Sequence, residues 1–144
     1  ILMFGGRVRE QSKQATAKVT LYDISKNKFK DLKPLPYEVC NMATVKGEQD
    51  VFLVGGSASY PDGNVKNTVV SYNIETQESI ELPPMKQNRY ACQAIADGNP
   101  LIVMGGRFQN RSSNSVEALD FKTSQWSELP AMNIARWGFI AEIV

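Results

Sequence analysis

Leu101-Ile102-Val103-Met104-Gly105-Gly106 is a run of four apolar residues closed by a glycine pair, and the chain contains this unit three times. The other copies are Val51-Phe52-Leu53-Val54-Gly55-Gly56 and Ile1-Leu2-Met3-Phe4-Gly5-Gly6, spaced by 50 residues. Self-similarity at a fixed period of this length marks a repeat architecture and is read before any other signal. Working outward, further positions fall in register. Val19-x-x-Tyr22-Asp23 matches Val69-x-x-Tyr72-Asn73 and Val116-x-x-Leu119-Asp120. Phe29, Ser79 and Trp126 each stand six residues beyond the Asp or Asn. Leu35, Met85 and Met132 follow after six more, and Val39, Arg89 and Arg136 after four more. The third copy has a loop three residues shorter after its glycine pair, and the offsets then resume.

Each copy reads as short strands. The runs 51–54 and 101–104 are apolar and bounded by turn residues. Residues 69–72 and 116–119 form second strands. Residues 79–82 and 126–129 form third strands, ended by proline, which cannot donate to a ladder. Residues 89–96 and 136–143 are expected to form fourth strands, and Asp97-Gly98 is a hairpin signal leading into Leu101. No stretch keeps a 3.6-residue period. Four short antiparallel strands per 50 or so residues is the arithmetic of a β-propeller blade.

Composition narrows the chemistry. The 144 residues are 42% hydrophobic, enough for one folded core, and the net charge of +1 argues against a polybasic nucleic-acid arm. There is no histidine, which removes Ser-His-Asp and Cys-His catalysis and histidine metal sites. The two cysteines, Cys40 and Cys92, are 52 positions apart, so no cysteine zinc site is expected, and buried apolar roles are. Neither a metal nor another cofactor is expected. No apolar run reaches 18 residues and no signal peptide is visible, so the expectation is a cytoplasmic protein without a membrane partner. The chain opens at Ile1 inside an apolar run rather than on methionine, so it is expected to be a piece or a processed form of a longer protein.

The repeat resembles the Kelch repeat over essentially the whole chain. The resemblance rests on the apolar-run-Gly-Gly units, Tyr22-Asp23, Tyr72-Asn73, Trp126, and the Leu-Pro or Met steps followed by Arg89 and Arg136. Phe29 and Ser79 depart from the family tryptophan, Leu119 from its tyrosine and Val39 from its arginine; Ser79 cannot fill an apolar slot, so the second blade is expected to pack less densely. With strands labelled A to D, and B the run before Gly-Gly, the chain reads B-C-D over 1–36, A-B-C-D over 38–85, A-B-C-D over 89–132, and a lone A strand over 136–144. The resemblance implies an all-β fold of four-stranded Kelch propeller blades. Propellers have about 4–8 blades, so three repeats are expected to make half of a six-bladed ring. The other half would come from a longer chain, or from a second copy in a homodimer whose residues 136–144 complete the first blade.

Antiparallel alternation places the B–C and D–A loops on one face. That face carries Arg7, Arg9, Lys13, Lys18, Lys66, Lys86, Arg89, Arg107, Arg111 and Arg136 against Glu10, Glu38 and Asp62, a balance of +7, while the rest of the chain balances at −6. Such a face attracts and steers an acidic peptide or protein. Arg89 and Arg136 are expected to clamp it, with Arg7 and Arg107 at the rim and Tyr60, Phe108 and Trp137 as apolar anchors. The equal alternative is that Arg89 and Arg136 bind blade carbonyls or carboxylates. The family pattern adds Asn88, Ala135 and Ser57 to the lining. The resemblance further implies a non-catalytic interaction module, such as the substrate-recognition part of a BTB-Kelch adaptor of a cullin-RING ubiquitin ligase. Actin binding in the cytoskeleton is the alternative. A propeller enzyme is less favoured: galactose oxidase needs histidine copper ligands, and the mutarotase option needs a closed pocket.

Overall fold

The structure, a computed structural model, describes residues 1–8, 14–59 and 63–144. Three antiparallel sheets follow one another along the chain. The first is β1 (Leu2–Phe4), β2 (Val19–Asp23) and β3 (Lys28–Leu32), in that spatial order. The second is β4 (Ala43–Lys46), β5 (Asp50–Val54), β8 (Val69–Asn73) and β9 (Ser79–Leu82). The third is β10 (Gln93–Ala96), β11 (Leu101–Met104), β14 (Val116–Asp120) and β15 (Gln125–Leu129). Two short hairpins decorate the B–C loops: β6 (Ser57–Ser59) with β7 (Gly63–Val65), and β12 (Arg107–Phe108) with β13 (Arg111–Ser112). Among the described residues no helix is long and apolar enough to cross a membrane.

The apolar runs are continuous rather than alternating because the central strands are covered on both faces. Side chains alternate across a strand. In β8, Val69 joins a core shared with the third sheet, while Val70 and Tyr72 join a core shared with the first. In β5, Val54 and Leu53 divide in the same way. Neighbouring sheets therefore stack as wedges, and the middle one is sandwiched.

The glycine pair is the joint between wedges. Gly5, Gly55 and Gly105 have φ of 56°, 64° and 63°, a region open to glycine at little cost. A Cβ on them would lie 2.3, 2.3 and 2.6 Å from the carbonyl oxygens of Val39, Arg89 and Arg136. The second glycine then donates its N–H to that same carbonyl: Gly6 to Val39, Gly56 to Arg89 and Gly106 to Arg136, each at 2.9 Å. A second ladder runs across the wedges, with Ala91 N–H on the Asn41 carbonyl at 2.7 Å and Gly138 N–H on the Ala91 carbonyl at 2.8 Å.

The turns after the C strands are capped as their sequence implies. One side-chain oxygen accepts two backbone N–H groups in each copy: Asp23 from Ser25 and Lys26, Asn73 from Glu75 and Thr76, and Asp120 from Lys122 and Thr123.

One expectation is corrected. Residues 136–143 form no strand, and β15 is the last one. The reason is pairing: an A strand bonds to the B strand that follows it, as β10 does to β11, and residues 137–144 hold no such strand. Ile140 is 85% exposed there. Among the described residues, two four-stranded sheets and one three-stranded sheet establish an all-β fold of partial propeller blades, without a closed ring of six.

The aromatic slot of the repeat is filled in two ways. In the third sheet Trp126, half-buried beside Leu119, donates its indole N–H to the carbonyl of Pro83 in the preceding wedge at 2.8 Å. In the second sheet the cross-strand pair is Tyr72 and Ser79, and the donor has changed strands. Tyr72 is fully buried, meets Phe4 edge-on at 5.2 Å, and gives its hydroxyl to the Lys33 carbonyl at 3.2 Å. Lys33 is the repeat equivalent of Pro83, so both aromatics reach the same kind of carbonyl. Phe29, whose sheet has no wedge before it among the described residues, is 69% exposed against Tyr22.

Candidate functional site

Gln109 and Asn110 take φ of 48° and 61°, and two central residues at positive φ make the type I′ turn that a tight hairpin requires. This turn joins β12 to β13 and raises Arg107, Phe108 and Arg111 beside the D–A segment. That segment is fixed in turn by backbone bonds: Tyr90 and Arg107 exchange N–H and C=O at 3.1 and 2.9 Å, and Arg89 N–H meets the Lys66 carbonyl at 3.0 Å. Between them lies a cleft of about 440 Å³ lined by Lys86, Gln87, Asn88, Arg89, Arg107, Phe108, Gln109, Arg111, Ser112, Ser113 and Asn114. Four lining residues are basic and none is acidic. A larger cleft of about 640 Å³ on the opposite face is lined by charges of both signs, Lys46, Glu48 and Asp97.

Arg89 sits at the floor with 1% exposure, in an ion pair with the equally buried Glu117. It also donates to the Gly105 carbonyl at 2.6 Å and to Ser115 Oγ at 2.8 Å. Glu117 accepts the Lys86 N–H at 2.8 Å on its other oxygen. The two terminal nitrogens of the Arg89 guanidinium are thus engaged within the fold, its Nε is buried with no partner among the described residues, and Glu117 offsets its charge. Arg107 is half-buried, bonded to the Asn110 side chain at 3.1 Å and stacked over Trp137 at 5.1 Å. Its Nε is buried with no partner among the described residues. Arg111 is exposed, and the Lys86 ammonium meets Glu128 at 3.2 Å outside the cleft. Asn88 is held by a bond to the Val65 carbonyl at 2.7 Å.

Of the residues anticipated from sequence, Lys86, Asn88, Arg89, Arg107, Phe108 and Arg111 come together in this cleft. Arg136 and Ala135 are exposed at its edge, next to Trp137, and the Arg136 guanidinium lies 5.8 Å from the Phe139 ring. Arg7 belongs to the first wedge and is exposed, bridged to Ala15. Ser57 is fully buried, with its Oγ 3.6 Å from Cys40 Sγ. Phe108 and Trp137 flank the basic groups at 39% and 49% exposure. Arg9, Glu10, Lys13, Tyr60 and Asp62 lie outside the described residues. Gln87, Gln109, Ser112, Ser113 and Asn114 were not anticipated; they sit on loops and a short hairpin, where a single sequence carries no periodic signal.

Both cysteines are free and buried, and burial pushes the Cys92 thiol up to about 11. Among the described residues no group of three or more His, Cys, Asp or Glu is placed to hold a metal ion.

Wedges of four antiparallel strands, joined through glycine pairs, define the β-propeller class. The Kelch motif model matches residues 88–133. The chain is 29% identical over 131 residues to Kelch-like protein 40 of Xenopus tropicalis, covering 89% of this chain and 20% of that one. It is 28% identical over 116 residues to Kelch-like protein 41a of Danio rerio, covering 81% and 19%. It is 25% identical over 118 residues to Kelch repeat and BTB domain-containing protein 2 of Cowpox virus (strain GRI-90 / Grishak), covering 81% and 21%. The solved structure of YjhT superposes with a TM-score of 0.75 at 15% identity, over 85% of this chain and 41% of that one, a likeness of fold. The chain thus carries a Kelch motif over residues 88–133 and is similar to Kelch-repeat proteins along most of its length. It spans about a fifth of the length of the curated relatives it matches.

Proposed function

We propose that the chain is a non-catalytic protein-binding module whose loop-face cleft takes an acidic peptide. The observation that carries this reading is the lining of the cleft: Lys86, Arg89, Arg107 and Arg111 with no carboxylate, flanked by Phe108. With Arg89 neutralised by Glu117, the groups that meet the partner are Arg107 and Arg111, with Arg136 and Ala135 at the edge and Asn88 offering a polar contact. Arg7, one wedge away, extends the basic face. A guanidinium half-withdrawn from water and propped on an indole is pre-oriented for a carboxylate. Ser57 lies one junction back, where it exchanges backbone bonds with Cys40, outside the lining of this cleft.

A relative named for Kelch repeats and a BTB domain supports placing the module in a BTB-Kelch adaptor, recruiting a substrate to a cullin-RING ubiquitin ligase in the cytoplasm. The three wedges would be part of a larger ring, six blades being the expected count. The test uses a fluorescently labelled glutamate-rich peptide and its glutamine analogue. The acidic peptide should bind, weaken as salt rises, and lose affinity in Arg107→Ala by about 2–5 kcal/mol if desolvated and far less in Arg111→Ala. Equal binding of both peptides, or no effect of Arg107→Ala, overturns the reading. Co-sedimentation with filamentous actin that survives Arg107→Ala favours the cytoskeletal role instead.

A further inference from the structure

The hairpin beside the cleft carries a serine on the same face as the guanidinium that an acidic partner would meet. The register of β12 with β13 sets Arg107 opposite Ser112 and Phe108 opposite Arg111. Residues directly opposite on an antiparallel pair share a face, with Cβ atoms roughly 4.5–5.5 Å apart. Ser112 therefore stands one side-chain length from Arg107, and both line the cleft.

Three serines lie in this stretch, and one of their hydroxyls is available. Ser113 and Ser115 are half-buried, with their Oγ atoms 2.8 Å apart, and Ser115 is further engaged by Gln87 at 3.1 Å and by Arg89 at 2.8 Å. Ser112 is exposed, and its hydroxyl makes no hydrogen bond among the described residues. Its backbone is accessible as well. β12 is bonded to Tyr90 on one side and to β13 on the other, so β13 is the outer strand of the ribbon.

The charge around Ser112 has one sign. Glu117 neutralises Arg89 at the floor, and the Lys86 ammonium is turned out to Glu128. Arg107 and Arg111 form no ion pair among the described residues, and no carboxylate lines the cleft. A phosphate on Ser112 would bring a charge of about −1.5 to −2 near neutral pH and three strong acceptor oxygens. It would be tethered beside Arg107, whereas a peptide must bring its carboxylate from solution, and tethering raises the effective concentration of the competing anion.

We propose that Ser112 is a phosphorylation site whose phosphate takes Arg107 and closes the cleft to acidic partners, an inference that rests on the acidic-peptide reading of that cleft. In the transfer, Ser112 Oγ bonds to the γ-phosphorus of ATP held by a protein kinase. The bond from that phosphorus to the leaving oxygen of ADP breaks, and the hydroxyl proton passes to the base of the kinase.

The experiment places genetically encoded phosphoserine at 112 and, as a control, at Ser124 in the turn between β14 and β15 on the opposite face. By phosphorus NMR the phosphate at 112 should ionise at lower pH than the one at 124, because a guanidinium favours the dianion, and Arg107→Gln should remove the difference. The labelled glutamate-rich peptide should bind the chain phosphorylated at 112 at least about tenfold more weakly than the unmodified chain, with no loss for the chain phosphorylated at 124. Incubated with ATP and an arginine-directed protein kinase, the folded chain should take phosphate at Ser112 and not at Ser113 or Ser115, as mapped by mass spectrometry. Equal ionisation at 112 and 124, undiminished peptide binding after phosphorylation at 112, or phosphate on Ser113 or Ser115 in place of Ser112 overturns the proposal. If the peptide fails to bind the unmodified chain, the acidic-peptide reading falls, while the phosphorus titration still decides whether a phosphate on Ser112 engages Arg107.

Discussion

Replacing Arg89 and Glu117 together by valine should cost less than the two single replacements added. The side chains are 1% and 2% exposed, so either single change leaves a buried charge. In Glu117→Val the guanidinium keeps only the Gly105 carbonyl and Ser115. In Arg89→Val the carboxylate keeps only the Lys86 N–H. Orphaning one partner of a buried pair costs roughly 3–5 kcal/mol. The double variant reproduces the Val39–Val70 floor that the first junction already uses, and the coupling between the sites should reach about 2–3 kcal/mol. One term remains, the orphaned Lys86 N–H, worth about 1–3 kcal/mol when buried and unmade. Lys86→Pro, which copies Pro36, should therefore destabilise the wild type but stabilise the double variant. Urea unfolding at constant m reads all of these as shifts in midpoint. Additivity within about 0.5 kcal/mol, or the same sign for Lys86→Pro in both backgrounds, would refute the reasoning.

Three further outcomes are expected. Tyr72→Leu should cost about 2–3 kcal/mol by thermal unfolding, and adding Ser79→Trp should recover much of it through the Lys33 carbonyl, as Trp126 uses that of Pro83; a further loss would count against the shared slot. The side-chain hydroxyl of Ser25 holds the Asp23 carboxyl below its ordinary value, and the Lys122 N–H does so for Asp120. A carboxyl lowered on folding contributes above its unfolded value of about 3.9 and loses that contribution as pH falls through the folded one. Acid should loosen the first and third turns while Asn73 holds the second, so Asp23→Asn and Asp120→Asn should flatten the midpoint-versus-pH curve below about pH 4; an unchanged slope would be evidence against these caps. Cys92, with its thiol pushed up to about 11, should resist thiol reagents at pH 8 until unfolding, as counted by mass spectrometry, and rapid native labelling would contradict its burial.

The wedges were legible because their signals are local and repeated. The glycine pair announces a positive φ and a close approach, and one period carries it to all three joints. Asp23, Asn73 and Asp120 announce their turns by residue type alone. The absence of a strand at 136–143 was not legible in the same way, because an apolar sequence says that a segment can pair but not whether a partner lies beside it. Nor was Arg89 resolved between clamp and floor. Glu117 is 28 positions on, and only the folded register brings the two together. With that register known, the departure at Val39 becomes intelligible as one half of an exchange whose other half is Val70. The cleft was half visible: the basic loop residues could be counted, but the hairpin turn at Gln109-Asn110 carries no glycine to announce it.

The most direct test of the central claim is where an acidic peptide lands. Amide chemical-shift mapping with the labelled glutamate-rich peptide should perturb Gln87, Asn88, Phe108, Arg111 and Ser113, with the Trp137 indole moving as Arg107 engages its carboxylate. Perturbations confined to Phe52, Asp97 and Phe121 around the opposite cleft, or none at all at saturating peptide, would contradict the account.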